Sequence, residues 1–260
     1  MRNVPAIIEA CEDADRRVSR PLHARLGGRV MKIQDPISWC GVLVLFFVVS
    51  IDPAVAEQTI HLFDGKSLDG WTTASGNPVA HGWAVENGML IRNGRGGSIF
   101  TKNEYGDFDL SFEWRIARRG NSGVKYRVAF YERGVYGHPG WLGCEYQIYD
   151  DASRRPQPKF STAAIYELVP PSADKELRPA GQFNTARIVV QGTKIEHWLN
   201  GNKVLEADSS SGDWNQRIAD SKFGDVKDFF KNRKGRIELQ DHGHKVWFRN
   251  LLLRPLNSER

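Results

Sequence analysis

Asp107-Phe108-Asp109-Leu110-Ser111-Phe112-Glu113-Trp114-Arg115-Ile116 alternates apolar and polar residues without a break. In an extended chain, successive side chains point to opposite faces. Phe108, Leu110, Phe112, Trp114 and Ile116 would then share one side, and Asp109, Ser111, Glu113 and Arg115 the other. A helix would scatter the same residues around its axis, so this stretch reads as a half-buried strand of an antiparallel sheet. The pattern recurs downstream. Val124, Tyr126, Val128 and Phe130 alternate with Lys125, Arg127, Ala129 and Tyr131. Cys144, Tyr146 and Ile148 alternate with Glu145, Gln147 and Tyr149, and Ile237 and Leu239 with Arg236, Glu238 and Gln240.

Further strands are expected at 59–63, 83–91, 163–168, 186–191, 194–199 and 245–253. Asn200-Gly201 is a hairpin turn signal between residues 195–199 and Val204-Leu205. One stretch, 214–231, reads as helical, broken near Gly224. So many short strands with turn signals between them make an all-β domain, a two-sheet sandwich or jelly roll. Two long proline-bearing connections, 151–162 and 169–183, read as functional rims or as tolerated insertions.

The chain has 260 residues, 40% hydrophobic and 26% charged, which is a globular composition. Its net charge of +5 comes from basic residues interleaved with acidic ones. No stripe suited to nucleic acid emerges.

Residues 37–51 carry no charge, with Lys32 before them and Ala54-Val55-Ala56 after. A basic start, a short apolar run and an A-x-A site describe a signal peptide over 31–56. The run is shorter than the ~20 residues a spanning helix needs, so no stable membrane span is expected after cleavage. Residues 1–30 are Arg-rich and polar and fall outside the pattern; translation from Met31 would remove them. The folded domain is therefore expected at 57–260, exported to the periplasm or beyond. Of Cys11, Cys40 and Cys144 it keeps only Cys144, so no intrachain disulfide can form.

Arg115, Lys125, Arg127, Glu145, Gln147, Glu238, Gln240 and His242 fall on the polar parity of their strands, with Tyr131, Tyr149 and Trp198 as aromatic companions. Guanidinium, carboxylate, amide and imidazole groups beside aromatic rings suit a sugar, whose hydroxyls need polar partners and whose C–H faces need apolar ones. A solvated face with chance ion pairs is the plainer alternative. His242 and His244 beside Asp241 could hold a divalent ion, and Glu145 with Glu238 could form a glycosidase carboxylate pair. No Gly-x-Ser-x-Gly elbow occurs.

Several motifs together resemble the 3-keto-disaccharide hydrolase family. They begin with Leu62-Phe63-Asp64-Gly65-Lys66-Ser67-Leu68-Asp69-Gly70-Trp71, then Trp83-x-Val85-Glu86-Asn87-Gly88 and Asp107-Phe108-Asp109-Leu110. Asn121-Ser122-Gly123-Val124 with Arg127, Glu145-Tyr146-Gln147-Ile148-x-Asp150 and Asn200-Gly201 follow. Gly235-Arg236-Ile237-Glu238-Leu239-Gln240-Asp241-His242-Gly243 and Phe248-Arg249-Asn250 complete the set. The resemblance spans roughly residues 60–256 and implies a concanavalin-like jelly roll acting on glycosides oxidised to a ketone at C3.

Roles follow from chemistry. A C3 ketone acidifies the C2–H and makes the C1 oxygen a β leaving group, so cleavage needs a base, a cation at the enolate and an acid. His242 or Glu145 could be the base, Arg127 with Lys125 the cations, and Glu238 or Tyr149 the acid. Gln147, Gln240, Arg115 and Asp150 would bind substrate, and Asp150 and Asp241 could orient the reacting groups. No metal site or cofactor is assigned, although a divalent ion could replace the cations. A non-catalytic carbohydrate-binding module on the same scaffold is the competing reading. Mass spectrometry of the exported protein should find Glu57 at its N-terminus; Cys40 retained in the exported chain would overturn the cleavage site.

Overall fold

The computed structural model describes residues 58–257; the expected N-terminal extension and signal peptide lie outside the described residues. In chain order the elements are β1 (Ile60–His61), β2 (Trp71–Thr72), β3 (Trp83–Glu86), β4 (Met89–Arg92), β5 (Ile99–Thr101), β6 (Phe108–Ile116), β7 (Asn121–Tyr131) and β8 (Gly140–Tyr149). Then come α1 (Asp151–Arg154), β9 (Asn184–Gln191), β10 (Lys194–Leu199), β11 (Asn202–Asp208), α2 (Gly212–Ala219), β12 (Arg236–Leu239) and β13 (Val246–Pro255). One sheet runs β11-β10-β9-β6-β13-β4-β3 with β1 against β13, and the other runs β2-β5-β12-β7-β8. The two form an antiparallel sandwich of the jelly-roll class.

The alternation in β6 does what its period requires: every second residue from Phe108 to Ile116 is buried. Opposite them lie Val124, Tyr126, Cys144, Tyr146 and Ile148. Phe112 meets Tyr146 edge-on at 5.7 Å and Phe108 meets Tyr126 at 6.3 Å, geometries that aromatic quadrupoles favour. Truncating a ring such as Phe112 would cost about 3–5 kcal/mol. Buried His197 bridges Tyr126 Oη (3.0 Å) and the Ala163 carbonyl (2.9 Å). Burial lowers its pKa to about 4, so the imidazole is neutral. Cys144 is buried too, and burial pushes its thiol well up, out of nucleophilic range. No helix among the described residues is long and apolar enough to cross a membrane.

Local conformation explains three departures from the sequence reading. Residues 83–91 are a hairpin, because Asn87 and Gly88 both take positive φ (51° and 72°). Residues 163–168 form no regular strand, since Ala163 and Glu167 have φ of 69°. The segment nevertheless covers the free edge of β8, bonding Gln147 and Glu145 through its backbone (Ala163 N to Gln147 O, 2.9 Å; Tyr166 N to Glu145 O, 3.0 Å). Of the expected helix 214–231, only α2 is helical. Ser211 caps it by accepting from Trp214 N (3.1 Å). Beyond it, successive turns bury Phe223, Val226, Phe229 and Phe230, and positive φ at Asp228 and Phe230 rules out a continuing helix.

The departure with functional weight is a β-bulge in β7. Glu238 of β12 pairs with Lys125, but Arg236, two residues back, pairs with Val128, three residues on. One extra residue is inserted, and the parity of β7 inverts beyond it. Gly235 and Gly143 flank the bulge, where a Cβ would come within 2.4 Å and 2.5 Å of β7 backbone atoms. Two expectations change. Val128 is buried, but on the outward face opposite Arg236, not within the inter-sheet core. Arg127, expected on the polar face with the catalytic groups, turns inward with φ of 49°. It joins Asp107 Oδ1 (2.7 Å) and the Gly192 carbonyl (3.2 Å) beneath the Phe230 ring.

Arg127 is therefore a buried staple between the sheets. Arg127→Glu would set a second buried carboxylate against Asp107 and should lower unfolding stability by about 3–5 kcal/mol. A urea titration tests this; an unchanged midpoint would contradict the assignment.

Candidate active site

The outward face of the five-stranded sheet carries a lattice of side chains set by strand register. Across one row, Glu145 of β8, Lys125 of β7, Glu238 of β12 and Phe100 of β5 stand side by side. In the next row Gln147 pairs with Gly123, whose carbonyl accepts from Gln240 N (3.0 Å); beyond that, Tyr149 pairs with Asn121. The lattice thus has a glycine near its middle. A Cβ on Gly123 would lie 2.4 Å from Glu145 Oε1, so the missing side chain is what lets the carboxyl lean over the hollow.

Lys125 Nζ donates to both oxygens of Glu238 (3.1 and 3.3 Å). Burial alone would lower the ammonium's pKa, but Glu238 and Glu145 outweigh it and hold the group charged. Glu145 is in the opposite position. Burial raises its carboxyl from the ordinary 4.5 to about 7, against the opposing pull of Lys125 and Lys222, while Glu238 pushes it further up. Its side chain accepts one hydrogen bond, from Gln240 Nε2 at 3.3 Å. A carboxyl balanced between its two forms near neutral pH is the usual state of a general base.

Beside Glu145 opens a cleft of about 290 Å³ with Asn121, Gln147, Tyr149, Phe160 and Tyr166 in its walls. Pro156, Gln157 and Phe160 come from the 151–162 connection, which does form a rim here. Lys222 Nζ sits 4.3 Å from the Tyr166 ring centre and 3.5 Å from Glu167, bringing the segment after α2 to the same side. On the far flank of Glu238, Trp141 packs against Phe100 (5.7 Å) and the half-exposed Phe130 (5.5 Å), and the Arg236 guanidinium lies 5.4 Å from its ring centre.

The structure divides the expected site residues. Lys125, Glu145, Gln147, Tyr149, Glu238 and Gln240 share this face. His242 follows β12 at its end and is exposed at the rim, where partial burial and then the charge of Lys125 hold its imidazole below the ordinary value. Arg127 is turned away by the bulge. Arg115 lies on the outer face of the other sheet, its guanidinium 4.1 Å above Trp247, and Trp198 stacks with Arg187 on that sheet too. Tyr131 spends its hydroxyl on the Phe230 amide (3.0 Å). Asp150 caps α1, accepting from Arg119 N (2.6 Å) and Ser153 N (3.3 Å). Asp241 is committed to Arg92 (2.7 Å) and to the Gly97 and Gly243 amides. No group of three His, Cys, Asp or Glu suited to a metal ion occurs among the described residues.

Asn121 and Gly123 stand in the sequence only as part of a family motif, with no site role, and Tyr166 and Lys222 are not singled out at all. Extending the β7 alternation two residues back from Lys125 would have found Gly123, and four would have found Asn121; nothing local announced Tyr166 or Lys222. A second depression, on the opposite sheet, is lined by Asp109, Arg187 and Arg254, but its charges satisfy one another (Arg187–Asp109 2.7 Å, Arg254–Asp109 2.8 Å).

Fold and site together define a jelly-roll sandwich with two carboxyls flanking an ammonium on its five-stranded sheet. Residues 58–254 match the family described as the 3-keto-alpha-glucoside-1,2-lyase-like domain, and the chain belongs to that family. It is 29% identical over 235 residues to a Bacteroides thetaiotaomicron protein named 3-keto-disaccharide hydrolase, covering 79% of this chain and 81% of that one. Two crystal structures from Parabacteroides distasonis, each described only as a candidate glycosyl hydrolase, are 30% identical to it. Their TM-scores are 0.68 and 0.59; the matches cover 78% and 76% of this chain and 96% and 100% of theirs.

The raised pKa of Glu145 has a stability consequence whose sign is fixed. Below pH 4.5 the folded state's stronger grip on the proton stabilises it fully. As pH rises to about 7, the unfolded chain ionises first and this advantage is lost. Glu145→Gln should therefore gain stability relative to wild type between pH 4 and 8, by on the order of 3 kcal/mol. Parallel stability profiles for the two proteins would show that Glu145 titrates normally.

Proposed function

We propose that this protein cleaves glycosides whose sugar is oxidised at C3, by removing the C2 proton and eliminating the C1 substituent. The observation that carries the reading is Glu145: a buried carboxyl raised to about 7, leaning over a glycine hollow one strand away from a charged lysine. Family membership and the name of the Bacteroides relative support the substrate class.

Glu145 as carboxylate takes the proton from C2, and the C–H electrons pass into an enolate whose oxygen lies against the Lys125 ammonium. Glu238 holds that ammonium in place. Collapse of the enolate restores the C3 ketone, forms the C1–C2 double bond and breaks the bond from C1 to the glycosidic oxygen. The departing oxygen takes a proton from Glu145, now an acid of matching strength, with Tyr149 and His242 at the rim to hydrogen-bond the leaving group. Addition of water across C1–C2 completes hydrolysis. The apolar run at 37–51 with Ala54-Val55-Ala56 supports action outside the cytoplasm.

A sugar-binding module needs amides and aromatic rings but has no use for a carboxyl held near neutrality, so the module reading is second. Purified residues 57–260 incubated with a 3-keto-glucoside in deuterium oxide should release the aglycone and carry deuterium at C2 of the sugar product. Glu145→Gln should slow release by about 10²-fold or more. Binding without release would favour the module, and release without deuterium at C2 would eliminate the proton-abstraction route.

A further inference from the structure

Two buried acceptors in the site have no partner. Asn121 Oδ1 and Gln240 Oε1 are both closed off from solvent without a hydrogen bond among the described residues. Buried carbonyl oxygens are ordinarily paired, and leaving one empty costs free energy that folding does not return. Neither lies in a random place. Asn121 precedes Gly123 by two residues on β7 and so shares its face, while Gln240 is bonded through its backbone to Gly123 from β12. Both flank the hollow over which Glu145 leans. The Gln240 amide is oriented, too: its nitrogen is engaged by Glu145 Oε2 (3.3 Å), which leaves its oxygen as the free end.

An acceptor is completed only by a donor. A hydroxyl can supply the proton; a ketone oxygen cannot, and at these two positions it would meet lone pairs. We propose that Asn121 and Gln240 are the specificity-determining pair, each accepting a hydrogen bond from a ring hydroxyl of the oxidised sugar. With those hydroxyls fixed, the carbonyl of the same ring is excluded from that side and is left to Lys125, the ammonium in the adjoining row. The pair selects the sugar's unoxidised positions and, by doing so, sets which carbon faces Glu145. The inference rests on the function proposed above and adds the orientation of the ring.

The test is a coupling experiment on residues 57–260, with p-nitrophenyl 3-keto-glucoside and its 2-, 4- and 6-deoxy analogues. For wild type, loss of each hydroxyl that is read should cut kcat/KM by at least about 10²-fold, as sites built to bond a hydroxyl reject analogues lacking it. Asn121→Ala should suffer a similar loss on the parent substrate and no further loss on one particular analogue; Gln240→Ala should behave likewise on a different one. Asn121→Asp keeps an acceptor and should keep the discrimination. Since Gln240 also touches Glu145, its pH profile separates a shifted base from a lost contact. Losses that simply multiply for every residue and analogue would overturn the proposal. If wild type turns over no 3-keto substrate, the functional reading fails by itself. Methyl glucoside titrated calorimetrically against wild type and Asn121→Ala then decides the acceptor pair, which stands if affinity falls at least 10-fold in the variant and is overturned if it does not.

Discussion

Three ionisable groups stand in one row on the five-stranded sheet, and there is one positive charge between two carboxyls. Lys125 is hydrogen-bonded to Glu238 and faces Glu145 from the neighbouring strand. A single buried ammonium can neutralise one carboxylate well. Glu238 has that partner, so Glu145 bears the cost of burial and the repulsion of Glu238, and its proton affinity rises. The raised proton affinity of Glu145 is thus the product of burial with too little compensating charge. Lys222, on the same side, already pulls against this rise, and a further cation within the row would lower the pKa of Glu145 more. That is what an inward-turned Arg127 avoids.

The arrangement depends on where the bulge falls. Before it, β7 offers Asn121, Gly123 and Lys125 to the outward face; after it, the parity inverts, so Val128 goes out and Arg127 goes in. Had the strand been regular, Arg127 would stand two residues from Lys125 on the same face. Instead its charge is absorbed by Asp107 in the sandwich interior, and beside the row Trp141 and Phe130 pack together, with Trp141 also against Phe100 at the row's end.

This locates what sequence could and could not reveal. Strict alternation in β6, β8 and β12 was legible because nothing interrupts it, and it placed Glu145, Gln147, Tyr149, Glu238 and Gln240 on one face. The family motifs extended that reading to the jelly roll. The bulge was not legible, because an inserted residue leaves an alternating run looking alternating: Lys125, Arg127 and Ala129 read as one polar set whether or not the ladder slips between them. Its local cues were Gly143 and Gly235, two glycines on neighbouring strands, and sequence alone does not reveal that those strands are neighbours. Arg115 failed for a different reason. Parity assigns a side chain to a face of its own strand but not to a sheet, and β6 belongs to the eight-stranded one.

Several features of the site run against stability and in the same direction. Glu145 is buried without full compensation, Asn121 and Gln240 each leave an oxygen unpaired, and Gly123 adds backbone freedom to the middle of a strand. Several charged or titratable groups elsewhere are satisfied: Asp109 by two arginines, Asp150 and Asp241 by backbone amides, His197 by a tyrosine and a carbonyl. Other buried atoms without a partner, such as Trp114 Nε1 and Asn232 Oδ1, occur elsewhere among the described residues, but around the hollow three uncompensated groups, Glu145, Asn121 and Gln240, fall together. The substrate proposed above would relieve all three, with hydroxyl donors for the two oxygens and a C2 proton for the Glu145 carboxylate.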